Sequence, residues 1–133
     1  MDKVLLVDND REFLAARRKI LEMHGYEVHI AETPDSALQM LGAISLALAV
    51  IDLRLEDDLD ENDYSGLNLI QKAPSRIPKI LTTGFPTVEL ARRALKGYHA
   101  YTSLALDIVA KTDSPQAFLA SVNEAIQRGK SLK

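Results

Sequence analysis

The apolar positions of this chain fall into two kinds of run that alternate along its length. Val4 to Val7 is short and continuously apolar, the pattern of a strand buried on both faces. Phe13, Leu14, Ala16, Ile20 and Leu21 then recur at helical spacing, with Arg17, Arg18 and Lys19 between them and Asp10 as the cap. Gly25 ends that helix. Tyr26, Val28 and Ile30 alternate as a second strand. Thr33-Pro34 reads as a cap followed by proline at the first helical position, and Ala37, Leu38 and Leu41 form the buried stripe behind it. Leu46 to Leu53 is the most apolar run and predicts a central strand. The polar stretch from Arg54 to Ser65 separates it from a short helix that Gly66 opens and that ends before Pro74. Ile80 to Thr83 predicts a fourth strand, bounded by Gly84 and Pro86. A helix over 87–95 follows, capped by Thr87 and closed by Gly97, and the stretch 98–106 fits no single element. Ile108 to Ala110 gives a fifth strand. Ser114-Pro115 starts the last helix, with Phe118, Leu119, Val122 and Ile126 on one face. The residues from Arg128 to Lys133 predict a frayed, solvated tail, which places the domain at 1–127 and the tail at 128–133.

Strand and helix thus alternate through five strands, which implies an α/β fold: a doubly wound parallel sheet with helices on both faces and right-handed crossovers. Such sheets bind ligands beyond the carboxyl ends of their strands, at the point where strand order reverses. The residues predicted there are Asp8, Asn9 and Asp10 after the first strand, Asp52 at the end of the third, Thr83 at the end of the fourth and Lys111 after the fifth. Singly, each has an ordinary explanation, since aspartate caps helices and lysine is solvated. Together they are more specific. Carboxylates brought close repel one another and need a cation. Hard oxygen ligands at this density suit Mg2+, which takes few protein carboxylates and keeps several waters.

Composition narrows the function. The 133 residues suit one domain, and 47% hydrophobic against 26% charged residues gives a core and an ordinary surface. A formal net charge of -3 argues against direct nucleic-acid binding, which needs clustered Lys and Arg. The absence of cysteine excludes disulfides, thiolate chemistry and cysteine-based zinc sites, and fits a cytoplasmic location. Neither a signal-peptide pattern nor an apolar run of bilayer length is present, so no membrane association is expected. His24, His29 and His99 form no metal-spaced pair and read as surface residues.

Four motifs in order resemble those of the receiver domain of two-component response regulators. They are Val4-Leu5-Leu6-Val7-Asp8-Asn9-Asp10, Ala49-Val50-Ile51-Asp52-Leu53-Arg54-Leu55, Ile80-Leu81-Thr82-Thr83-Gly84 and Ala110-Lys111. The resemblance covers nearly the whole chain. It implies the flavodoxin-like (βα)5 fold with strand order 2-1-3-4-5, which is known of that family and does not come from periodicity. It further implies that Asp52 takes a phosphoryl group from a phosphohistidine on a sensor histidine kinase or phosphotransfer protein. Asp8, Asn9, the Asp52 carboxylate and the Arg54 backbone carbonyl would hold Mg2+ or Mn2+. Lys111 would pair with Asp52 and then with the phosphoryl oxygens, and Thr83 would move to bond the phosphoryl group and shift a conformational equilibrium. The implied protein is a signalling domain that promotes its own metal-dependent phosphorylation and acts on a downstream effector, with homodimerisation an open option. No output domain follows the last helix, so a stand-alone receiver or a piece of a longer regulator is expected.

The chain departs from the family pattern in several places, among them Glu56 and Thr112 where the family commonly has proline. Asn9 replaces a second acidic residue, which predicts weaker metal affinity. The loop after Asp52 is long and acidic. Asp58 to Asn62 mimics the start of a calcium loop, but Asp63 stands where its glycine belongs and Leu69 where its bidentate glutamate belongs, which leaves a flexible solvated insert as the reading. The segment before Lys111 is also long, with Ile108 in place of an aromatic switch residue and Tyr98 or Tyr101 as spatial substitutes. Phe85, two residues past Thr83, predicts slow self-dephosphorylation. Two rival functions follow. One is a pseudo-receiver that binds partners without phosphorylation. The other is a haloacid-dehalogenase-like phosphatase with Asp8 as nucleophile and Asp10 as general acid. The acidic turn disfavours a flavin-binding relative.

Overall fold

A computed structural model describes residues 1–57, 59–84 and 107–131. Its elements are β1 (Lys3–Val7), α1 (Arg11–Met23), β2 (Glu27–Ala31), α2 (Pro34–Ala43), β3 (Leu48–Asp52), α3 (Ser65–Lys72), β4 (Lys79–Thr83), β5 (Asp107–Ala110) and α4 (Pro115–Ser131). The helix expected over 87–95 and the stretch 98–106 lie outside the described residues. So do Asp58, Phe85, Tyr98, His99 and Tyr101.

The strands pair in parallel in the order β2-β1-β3-β4-β5, the doubly wound arrangement expected. β3 is central and every one of its residues is buried. Strand alternation splits the core in two. On one face Leu5, Val7, Ala49, Ile51 and Leu81 pack with α2 and α3 through Ala37, Leu41, Leu67 and Ile70. On the other, Val4, Leu6, Leu48, Val50, Ile80 and Val109 pack with α1 and α4 through Leu14, Leu21, Phe118 and Val122. The register sets Val7 beside Ile51, Asp52 beside Thr82 and Thr83 beside Ala110. One residue further on, Asp8 and Lys111 join Asp52 and Thr83 along the carboxyl edge.

Local signals fix the helix ends as the pattern predicts. Asp10 accepts the backbone N–H groups of Glu12 and Phe13, and Thr33 accepts that of Ser36. Gly25 takes φ +89°, where the Gly25 N–H donates to Glu22 and the Tyr26 N–H to Leu21, a Schellman closure that L side chains resist. The other end of the chain differs from expectation. The tail predicted to fray is helical to Ser131, and Gly129 within it is buried. A Cβ at Gly129 would lie 2.3 Å from Cγ of Pro78, so this glycine permits close packing of α4 on the approach to β4 and does not end the helix. Lys130 also pairs with Asp2 at 3.2 Å. Among the described residues no helix is long and apolar enough to cross a membrane.

Candidate functional site

Asp8 leaves β1 with its side chain 2% exposed as a residue, held by the Asp10 N–H donating to its Oδ1 at 3.0 Å. Asp52 ends β3 and is equally buried. Lys111 follows β5, its backbone N–H donating to the Thr83 carbonyl at 2.9 Å. Its Nζ lies 2.9 Å from Asp8 Oδ2 and 3.3 Å from Asp52 Oδ2. The ring of Phe13 flanks the same ammonium at 4.8 Å. Burial by itself would lower the Lys111 pKa. The two carboxylates outweigh it and raise the net value above the ordinary one. Two buried carboxylates thus converge on this one ammonium.

The residues expected to converge therefore do so in part. Asp8, Asp52, Thr83 and Lys111 share one edge, and Thr82, register partner of Asp52, is buried beside them. Asp10 does not join. Its carboxylate is exposed and occupied as the cap of α1, so the third carboxylate considered in the sequence belongs to the helix. Among the described residues no three His, Cys, Asp or Glu side chains gather as a metal-binding group. The remaining donor set does suit a hard divalent cation of low carboxylate demand. Asn9 Oδ1, in the residue that follows Asp8, is buried without a hydrogen-bond partner among the described residues.

Two features behind the site were not legible as such. Gly66 opens α3 as expected, but for a reason of space. A Cβ there would lie 2.0 Å from the backbone oxygen of Asp52, and the Gly66 N–H donates to the Leu53 carbonyl at 2.8 Å. The start of α3 is thus pressed onto the strand end that carries Asp52. The described residues of the acidic connection over 56–62 are exposed, as expected of a solvated insert, but Asp63 at its end is buried and holds it. Asp63 is 7% exposed. Its Oδ2 accepts the N–H groups of Glu56 and Asp57 at 3.0 and 2.7 Å, and its Oδ1 accepts the N–H and hydroxyl of Ser65 at 2.9 and 2.6 Å. Burial pushes the Asp63 pKa up, and these hydrogen bonds more than reverse it, leaving the carboxyl below its usual range. Asp57 and Asp60 spend their carboxylates on local turns, accepting from Leu59 and Asn62. Asp58, the first position of the calcium-loop pattern, lies outside the described residues.

Arg17, one of three cations between the apolar positions of α1, turns inward. It is 6% exposed, sits between the rings of Phe13 and Phe118, and donates to the backbone carbonyls of Lys111 and Asp113. Its place three residues after Leu14 and four before Leu21 is the signal that marks it as inward-facing. His24 bonds the Ile20 carbonyl at the end of α1 and His29 pairs with Glu27 on β2, both remote from the strand-end cluster.

The family model of the response regulator receiver domain matches residues 4–123. The chain belongs to that family. Among its relatives, the photosynthetic apparatus regulatory protein RegA of Rhodobacter capsulatus is 33% identical over 96 residues, covering 70% of this chain and 49% of its own length. The acid tolerance regulatory protein ActR of Rhizobium meliloti is 31% identical over 122 residues, covering 90% of this chain and 57% of its own. This receiver domain therefore spans about half the length of the curated relatives it matches. A CheY-like response regulator receiver domain protein from Methanospirillum hungatei superposes with a TM-score of 0.85 at 26% identity, covering 100% of this chain and 99% of the other. The receiver domain from Clostridium thermocellum, at TM-score 0.81 and 22% identity over both full chains, shares the fold.

Proposed function

We propose that this receiver domain accepts a phosphoryl group on Asp52 from a histidine kinase or phosphotransfer protein, with Mg2+ or Mn2+ bound by Asp8, Asp52, Asn9 and the Arg54 carbonyl. The observation that carries this reading is the shared ammonium: Lys111 lies within 3.3 Å of both Asp8 and Asp52 at the carboxyl edge of the sheet. An oxygen of Asp52 forms the new P–O bond as the P–N bond of the phosphohistidine breaks and the imidazole leaves with the electron pair. The transition state is loose and carries its charge on the equatorial oxygens, so positioned cations do most of the work. Lys111 holds Asp52 in place and then shifts to the phosphoryl oxygens. A bound divalent cation supplies further charge neutralisation. The Thr83 hydroxyl bonds the phosphoryl group, and its differential interaction with two conformations sets the population shift read by an effector or a second copy of the domain. A cytoplasmic setting belongs to the same reading.

The test is intact mass after incubation with acetyl phosphate and magnesium. A single phosphoryl adduct is expected, absent in Asp52→Asn and absent with chelator. No adduct on folded protein would favour the pseudo-receiver. An adduct surviving Asp52→Asn would return the phosphatase reading with Asp8 as nucleophile, although the general acid which that chemistry needs, Asp10, is engaged as a helix cap.

A further inference from the structure

We propose that Arg17 is a positioning residue for Lys111, fixing the backbone from which its ammonium reaches Asp8 and Asp52. The proposal deepens the phospho-acceptor reading and rests on it. Arg17 is a cation buried to 6% exposure, and its Nη2 donates to backbone carbonyls. Burying a cation is costly, so such a residue needs a compensating role. Its pKa is lowered by that burial, offset in part by the more distant Asp113. An aliphatic side chain would fill the same place between Leu14 and Leu21 without the penalty.

What the guanidinium adds is a grip on the turn after β5. Nη2 lies 3.2 Å from the Lys111 carbonyl and 3.4 Å from that of Asp113. The opposite side of the same residue is held by the Lys111 N–H on the Thr83 carbonyl. The backbone of Lys111 is thus clamped between β4 and α1. The rings fix the clamp in turn, since the guanidinium carbon lies 4.8 Å from the centroid of Phe13 and 4.2 Å from that of Phe118. Phe13 faces Lys111 Nζ as well, at 4.8 Å. One turn of α1 therefore touches Lys111 at both ends, its ammonium through Phe13 and its carbonyl through Arg17. Lysine is a point charge on a flexible stem, and anchoring its base is the means of placing that charge.

The consequence separates positioning from simple support. In the structure the ammonium occupies the two carboxylates that a divalent cation would also use. Loosening Lys111 weakens that competition and simultaneously removes the charge aligned for phosphoryl transfer. Metal affinity and phosphorylation rate should then move in opposite directions.

The measurement is Mn2+ affinity by electron paramagnetic resonance, beside the acetyl phosphate phosphorylation rate, for the full chain and for Arg17→Met and Arg17→Lys, each with its melting curve. Folded Arg17→Met is expected to bind Mn2+ about threefold more tightly, a coupling of ordinary size. Its phosphorylation should be about tenfold slower, as follows from a sub-ångström loss of alignment. Arg17→Lys keeps a cation and one donor and should fall between, and it carries the test should Arg17→Met not fold. Unchanged affinity and rate would overturn the proposal. A parallel fall in both would also overturn it, by showing that Arg17 only supports the fold. Were the unaltered domain to take no phosphoryl group, the phospho-acceptor reading would fail, while the Mn2+ affinities would still decide whether Arg17 places Lys111.

Discussion

Asp52 and Asp63 bound the same connection, and both are buried, at 2% and 7% exposure. Their surroundings differ. Asp63 is met by four neutral donors, three backbone N–H groups and the Ser65 hydroxyl, that match its two oxygens. Asp52 shares one ammonium with a second buried carboxylate, Asp8, next to a buried Asn9 oxygen that has no hydrogen-bond partner. Burial of a carboxylate therefore does not by itself mark a reactive one. Where backbone donors saturate the oxygens, the charge is consumed in shaping a loop. Where two carboxylates converge on one ammonium, the arrangement suits the cation-assisted chemistry we propose.

The substitution with the largest expected effect joins the two regions. Gly66→Ala would drive a Cβ into the Asp52 carbonyl, which must move, and with it the start of α3 and the Ser65 donors of Asp63. A loss of about 3 kcal/mol is expected, at the upper end for overpacking because backbone, not a flexible side chain, is struck. Chemical denaturation measures it, and phosphorylation should fall with it. Retention of both would show that α3 can slide off the strand end and that the two regions are separable.

Lys111→Met sharpens the contrast from the side of Asp52. It leaves Asp8 and Asp52 facing each other without their shared cation. The expected cost is about 2 kcal/mol, below that of breaking a fully buried pair because Lys111 retains some exposure. Magnesium should recover much of that loss in a thermal melt, since a ligand that binds the folded state stabilises it. Phosphorylation should remain defective. A variant that melts as the parent does without metal would mean that the carboxylates do not repel.

The smallest effect is expected at Asp63. Asp63→Asn loses acceptor capacity toward the backbone of Glu56 and Asp57 or toward Ser65, costing about 1 kcal/mol. Magnesium should not rescue it, and Asp52 should still be phosphorylated. The pH dependence separates the two regions again. The folded-state pKa of Asp63 is depressed, so its contribution is present above the unfolded value and is lost as pH falls through the folded one. Lys111 has the opposite sign: its pKa is raised, so its contribution holds at neutral pH and is lost as pH climbs through the raised value. Urea midpoints across the acid limb should therefore be flatter for Asp63→Asn than for the parent. An identical acid limb would show that Asp63 is not what closes the connection.

Much of this was written in the sequence. The continuous apolar runs of β1 and β3 and the stripes of α1 and α2 demanded a buried parallel sheet, and residues placed just past a strand must appear at its carboxyl edge. Asp8, Asp52, Thr83 and Lys111 were legible for that reason. Arg17 was not, because a cation on a helix is solvated by default, and only its alignment with Leu14 and Leu21 pointed inward. Asp10 was legible as the cap of α1, but nothing singled out Asp63 from the acidic residues around it. A carboxylate beside a turn can solvate, ligate or cap, and the sequence does not say which donors will face it. Gly129 fell in the stretch expected to fray, although it admits Pro78.

The order of apolar and polar residues by itself determined the elements, their alternation and the edge at which chemistry collects, because burying strands of period two and helices of period 3.6 leaves few arrangements. Only the tertiary structure decided which charges are satisfied and which are shared. Hydrogen bonds and ion pairs depend on distances of a few tenths of an ångström between residues far apart in the chain, and Arg17 meets Lys111 only once α1 and the turn after β5 are packed together.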